Sequence, residues 1–154
     1  MLKPGDKAPA FALSNQSGDK LRLSGLKGHK VLVYFYPKAD TPGCTAQACG
    51  LRDVLSDVGH TAIVGISPDP PSRQRKFDEK YGLGFPLLSD EDHAVAEAYG
   101  VWAEKSMYGK TYWGVQRATF ILDEEGVVRH VIPKVSPKTH DDEVLKALGD
   151  LAPA

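Results

Sequence analysis

Short, unbroken apolar runs alternate with polar stretches of helical spacing along this chain. Val31-Leu32-Val33-Tyr34-Phe35-Tyr36 is continuously apolar or aromatic, as expected of a central strand buried on both faces. Thr61-Ala62-Ile63-Val64-Gly65-Ile66 reads as a second buried strand. Ala118 to Leu122 and Val127 to Ile132 flank Asp123-Glu124-Glu125-Gly126, which predicts a hairpin. Phe11-Ala12-Leu13 and Lys20-Leu21-Arg22-Leu23 flank the polar turn Ser14 to Asp19 and predict a smaller, N-terminal hairpin.

Between these runs the spacing turns helical. A helix is predicted from Pro42 to Val58, with proline in its first turn and Gly59 as its stop. Asp69 is placed to cap a second helix opening at Pro70-Pro71 and ending near Gly82. Asp90 is placed to cap a shorter one through Ala98, stopped by Gly100. Thr139 precedes a final amphipathic helix carrying Val144, Leu145, Leu148 and Leu151. The segment from Ala103 to Val115, rich in Gly, Tyr and Trp, yields no element from its pattern. The order is hairpin, β-α-β-α, helix, hairpin and helix, which describes an α/β sandwich with a mixed central sheet. No internal repeat or low-complexity stretch interrupts it.

Composition narrows the function classes. The 154 residues suit one domain over 1–154, with 42% hydrophobic and 25% charged residues, ordinary values for a globular chain. A net charge of −1 gives no electrostatic case for nucleic acid or an anionic membrane as partner. Val31 to Tyr36 is far too short to span a bilayer. The opening Met1 to Asp6 lacks the apolar core of a secretory signal, so a cytoplasmic location is expected. The histidines at 29, 60, 93, 130 and 140 show no metal-ligand spacing with one another or with the cysteines. No glycine-rich phosphate loop is present either.

The two cysteines, Cys44 and Cys49, carry the chemistry. In a reducing compartment so close a pair points to redox or metal chemistry rather than a structural staple. Cys44 follows Pro42-Gly43 and should fall at a helix start, where free N–H groups and the helix dipole favour a thiolate, the nucleophilic form. The Thr41 hydroxyl can reach the same pocket. At about 100° per residue, Cys44, Ala48, Leu51, Leu55 and Val58 share one stripe facing the sheet. Cys49 then falls beside Arg52, Asp53 and Ser56, towards solvent. Residues five apart on an intact helix have Cα atoms roughly 8–9 Å apart, whereas a disulfide needs less than about 7 Å. A bond between these thiols therefore requires the first turns to unwind, unlike a thioredoxin-type Cys-x-x-Cys pair. Bland readings remain open: two inert buried thiols, Thr41 as a turn residue, and Arg117 as a surface charge at a strand start. Trp102, Trp113 and Tyr36 are expected in core packing rather than at a pocket mouth.

Pro37-x-x-x-Thr41-x-x-Cys44 resembles the peroxiredoxin active-site motif. The longer string from Phe35 to Thr45, with Cys49, is similar to the bacterioferritin comigratory protein (PrxQ) branch. The likeness extends to Gly5-Asp6-Lys7-Ala8-Pro9-Ala10-Phe11, to Lys105-Ser106-Met107-Tyr108-Gly109-Lys110, and to Arg117-Ala118-Thr119-Phe120-Ile121-Leu122-Asp123, where peroxiredoxins carry their active-site arginine. The resemblance implies a thioredoxin-like fold and a thiol-dependent peroxidase acting on hydrogen peroxide and organic hydroperoxides, with no cofactor. It implies Cys44 as the attacking sulfur, Cys49 as its resolving partner, and Arg117 and Thr41 as donors and acceptors around sulfur and peroxide. Pro37 would shape and shield the pocket, and the N–H groups of Gly43 and Cys44 would polarise the substrate. Thioredoxin, or else glutaredoxin, is the implied reductant, and a monomer the implied state. Two other classes compete: a thiol–disulfide oxidoreductase, opposed by the Cys-x-x-x-x-Cys spacing and Arg117, and a redox sensor that signals by unwinding its helix.

Overall fold

A computed structural model describes residues 1–59 and 61–151; His60 and the side chain of Leu151 lie outside the description. The strands are β1 (Ala12–Ser14), β2 (Lys20–Arg22), β3 (Val31–Phe35), β4 (Ala62–Ser67), β5 (Leu87–Ser89), β6 (Trp102–Met107), β7 (Lys110–Val115), β8 (Ala118–Leu122) and β9 (Val128–Ile132). The helices are α1 (Pro42–Asp53), α2 (Pro71–Tyr81), α3 (Ala94–Ala98) and α4 (His140–Leu151). Seven strands form one mixed sheet in the order β2-β1-β5-β4-β3-β8-β9. β3 runs parallel to β4 and antiparallel to β8, and β4 runs parallel to β5.

Alternation along β3 explains why its apolar run is unbroken. Leu32, Tyr34 and Tyr36 enter the core beneath α1, α2 and α4, where Cys44, Leu51, Phe77 and Val144 meet them. Val31, Val33 and Phe35 enter the opposite core with Tyr99, Phe120 and the α3 residues Val95 and Ala96. Successive strand residues face opposite ways, so a strand covered on both sides has no polar positions. Gly65 interrupts the run in β4 because Tyr34, its register partner, occupies the space: a Cβ there would lie 2.9 Å from the Tyr34 hydroxyl oxygen.

Three expectations are corrected. The first helix ends at Asp53, five residues short of Val58, and a tight turn over Leu55–Asp57 follows. β-Branched Val54, then Ser56 and Asp57, weaken the helix, and the Arg52 guanidinium ties its end to the Tyr81 carbonyl at 2.6 Å. The three-residue β5 was missed because it is too short to show a period; β4 and a single β1 pair hold it. Residues 102–115 form a separate two-stranded ribbon, β6–β7, turning at Tyr108-Gly109 with both residues at positive φ (52° and 76°). The ribbon is mostly exposed, so no buried face writes a period into it. Trp113, expected in the core, is accordingly 59% exposed, and Trp102 stacks on His93 at 3.8 Å.

Other local signals act nearly as read, except that His93 and not Asp90 takes the N-cap position of α3. Gly82 ends α2 in the left-handed region, and the buried Asp90 carboxylate accepts from the Val95 and Ala96 N–H groups in the first turn of α3. The Thr139 hydroxyl bonds to the Glu143 carboxylate at the start of α4. No described helix is long and apolar enough to cross a membrane.

Candidate active site

The site is built where β3 gives way to α1. Pro37, half-buried, lies one residue past the strand, after Tyr36, and the next residues are anchored from β4 and α2. The Ala39 N–H donates to Asp69 Oδ2 at 2.7 Å, and the Ser67 hydroxyl donates to the same oxygen at 2.7 Å. Asp69 therefore does not cap α2 as expected: its buried carboxylate is spent on this loop, and the cap position falls to Pro70. Pro71 at the first helical position has no N–H to satisfy, so little is lost. Asp40 takes a left-handed φ of 59° and accepts from Lys80 and from the Tyr81 hydroxyl, bonds that hold its carboxyl below the usual range.

Thr41 occupies the N-cap position of α1, its carbonyl accepting the first helical bond from the Thr45 N–H at 2.8 Å. Its hydroxyl donates to the Lys38 carbonyl at 2.8 Å. Cys44 lies in the first turn, 1% exposed. N–H groups in that turn have no partner a full turn back. Arg117 Nη1 stands 3.3 Å from the Cys44 sulfur and also donates to Gln47 Oε1 at 2.8 Å. Register explains the approach: β3 and β8 pair Phe35 with Ala118, so Arg117 sits at the end of β3 that leads into Pro37. Gly43 leaves room for it, since a Cβ there would lie 3.0 Å from Arg117 Nη2.

Two polar residues that the sequence reading missed complete the arrangement. Gln47 is fully buried, and its amide nitrogen lies 3.2 Å from His140 Nδ1. His140, also fully buried, has its Nε2 2.7 Å from the Thr119 hydroxyl. Burial lowers the His140 pKa to about 4, the charge of Arg117 acting the same way and Asp141 opposing. Gln47 carried a readable signal: it follows Cys44 by three positions and is polar on an otherwise apolar helix face. Lys105 is half-buried at the same mouth, in a concavity lined also by Tyr112, Arg117 and Lys134. Burial lowers its pKa, Arg117 adds to the shift, and Cys44 opposes it.

Both thiols are free on an intact α1. Cys49 does not face open solvent as the helical projection suggested. It is partly buried and packs against the cluster containing Val144 and Ala147 of α4. α4 arrives from far along the chain and covers a flank that a lone helix would leave wet, with Asp141 lying beside Gly50. Among the described residues, no group of three or more His, Cys, Asp and Glu side chains could hold a metal ion.

A model of the AhpC/TSA family matches residues 4–131. The peroxiredoxin Bcp of Escherichia coli K12 is 49% identical over 153 residues, covering 98% of both chains. The chain belongs to the AhpC/TSA family, in its Bcp (PrxQ) peroxiredoxin branch. As a peroxiredoxin it is a peroxidase. A putative peroxiredoxin of Mycobacterium tuberculosis H37Rv is 52% identical over 129 residues, 82% of each chain. Among solved structures, a Xylella fastidiosa PrxQ mutant superposes with a TM-score of 0.92 at 27% identity, covering 99% of both chains. A Xanthomonas campestris bacterioferritin comigratory protein, described for its alkyl peroxide reduction activity, gives 0.87 at 39% identity over 93% of this chain and 92% of its own. The mixed sheet and its helices are thus the thioredoxin-like fold that the motif implied.

Proposed function

We propose that Cys44 attacks the peroxide O–O bond, that Cys49 resolves the product, and that an external dithiol protein of thioredoxin type resets the pair. The observation that carries this reading is the Arg117 guanidinium 3.3 Å from a buried sulfur in a helix first turn. A permanent cation there stabilises the charge that appears on the leaving oxygen. An S–O bond forms as the O–O bond breaks. The departing oxygen takes a proton and leaves as water or an alcohol, and Cys44 becomes a sulfenic acid. With its proton committed to the Lys38 carbonyl, Thr41 offers its hydroxyl oxygen as an acceptor for the peroxide O–H. Pro37 walls the pocket without presenting an N–H. Organic hydroperoxides join hydrogen peroxide as substrates by analogy with the alkyl peroxide activity of the Xanthomonas relative.

In the second step the Cys49 sulfur attacks the sulfenic sulfur, a disulfide forms and water leaves. Five-residue spacing on α1 puts the Cα atoms beyond disulfide reach, so the first turns of α1 open. Two exchanges with the reductant thiols then return both cysteines to the reduced state. A thiol–disulfide oxidoreductase is disfavoured because its dithiol should close on a folded helix.

One equivalent of peroxide, followed by mass spectrometry and amide exchange, tests the scheme. The parent should carry a Cys44–Cys49 bond and exchange fastest, relative to the reduced form, over residues 42–52. Cys49→Ser should react once and accumulate the sulfenic acid, which a second equivalent of peroxide carries to sulfinic acid, and Cys44→Ser should not react. Only intermolecular disulfides in the parent would remove Cys49 from the resolving role, and turnover by Cys44→Ser would overturn the scheme entirely.

A further inference from the structure

A fully buried histidine with both ring nitrogens engaged is costly unless its bonds serve something, because an apolar side chain would fill the same space without desolvating polar groups. His140 is the first residue of α4, and its bonds reach outward to α1 and β8. Donor chemistry fixes their direction. Arg117 can only donate, so the Gln47 atom facing it, 2.8 Å away, must be the amide oxygen. The Gln47 amide nitrogen therefore faces His140 and can only donate, so Nδ1 accepts with its lone pair. The neutral ring then carries its proton on Nε2 and donates to the Thr119 hydroxyl oxygen. The chain runs Thr119, His140, Gln47, Arg117, Cys44, and each link leaves the next one orientation.

We propose that His140 is a positioning residue for peroxide reduction: as the Nε2–H tautomer it locks the Gln47 amide, which aims the Arg117 guanidinium at the Cys44 sulfur. Sequence distance shows what the fold had to arrange, since His140 lies 93 residues from Gln47 and 21 from Thr119. The inference rests on the reading that Arg117 acts on the Cys44 reaction, and it fails separately from it. Without His140, the Gln47 amide can flip, present its NH₂ to the guanidinium and push Arg117 off the sulfur. An error of about 1 Å in such placement can cost around 10²-fold in rate.

The first test uses the parent protein. Nitrogen-15 spectra of histidine-labelled protein at pH 7, with the His140 ring assigned among the five histidines, should show that ring neutral with Nε2 protonated and Nδ1 bare. An Nδ1–H tautomer or a charged ring would break the chain of donors and overturn the proposal, whether or not any variant folds. The second test compares two reagents in a Cys49→Ser background, where Cys44 alone reports. His140→Leu should slow oxidation by hydrogen peroxide by at least about tenfold, while alkylation by iodoacetamide, which has no O–O bond for Arg117 to polarise, changes less than threefold. His140→Asn, whose side-chain oxygen can accept from Gln47, should recover most of the peroxide rate. A parent-like peroxide rate in His140→Leu, or equal slowing of both reagents with no recovery in His140→Asn, would reduce His140 to a structural role. If the parent itself fails to reduce peroxide through Cys44, the underlying reading falls instead, while the tautomer result still stands or fails alone.

Discussion

The two halves of the cysteine helix are held by different physics. From Cys44 to Ala48 the specific ties are polar and reach distant elements: the Cys44 sulfur and Gln47 to Arg117, and Gln47 to His140. From Leu51 through the turn at Leu55–Asp57 the hold is chiefly apolar, with Leu51 fully buried and Val58 nearly so, beside the bond from Arg52 to the Tyr81 carbonyl. Hydrogen bonds act over a narrow range of distance and angle, so the first half aligns groups well and loses its hold in one step when they move. Apolar burial is non-directional, so the second half stays docked while its neighbour rearranges. The proposed cycle, in which this helix presents a sulfur and then opens, would draw on both kinds of hold, in that order.

Leu51→Ala strikes the apolar half and should produce the largest change. Deleting a fully buried leucine side chain costs about 2–5 kcal/mol, read as a shift in the denaturant midpoint. The rate of the first reaction with peroxide should stay within about threefold of the parent, because no polar tie is touched. Comparable losses in both measurements would show that the halves are not separable.

Arg117→Ala strikes the polar half. It should slow peroxide oxidation of Cys44 by about 10²–10³-fold, the range seen on removing one preorganised charge-stabilising donor, with little change in denaturant midpoint. Stopped-flow oxidation beside equilibrium unfolding checks it, and a stability loss with an unchanged rate would invert the comparison.

Acid should weaken the polar half through His140. Its pKa is lowered in the fold to about 4 from an ordinary 6.5, so between those values the unfolded chain binds a proton that the native state refuses. Stability is whole above about pH 6.5 and falls progressively towards pH 4, by up to about 3 kcal/mol. Unfolding at pH 7 and pH 4.5 should show a larger loss in the parent than in His140→Asn, which cannot titrate. Equal losses would mean that the ring is not held neutral.

Tyr34 should give the smallest effect. It lies beneath α1 and stacks on Tyr36, and its buried hydroxyl has no hydrogen-bond partner among the described residues. Tyr34→Phe removes an unpaired polar group and should be neutral or stabilising by about 1 kcal/mol, measured as a thermal midpoint. Destabilisation would place an unrecognised polar tie in the apolar region.

Much of this architecture is written locally. β3 and β4 are legible because strands covered on both faces must be apolar throughout. Gly82 and Gly100 mark helix ends because both take positive φ at the stop, where a side chain would be strained. Cys44 is legible as a helix-start thiol because Pro42 and Gly43 precede it directly. The β6–β7 ribbon was invisible for the opposite reason: its faces are mostly exposed, so its sequence is free of any burial period.

What the sequence determined by itself was the string of elements, a thiol at a helix start, and, through its motif, the family. Tertiary structure alone decided which partners meet that thiol. Arg117 reaches Cys44 across 73 positions because the β3–β8 register and the bare Cα of Gly43 admit it. α4 folds back over α1, half-burying Cys49 and delivering His140 to Gln47. Asp69, placed by sequence as a cap, serves the Ala39 N–H because β4 and the active-site loop end side by side. Helix, strand and cap signals act within a few residues of chain, whereas a polar contact is settled by which groups the packed elements leave facing one another in a space without water.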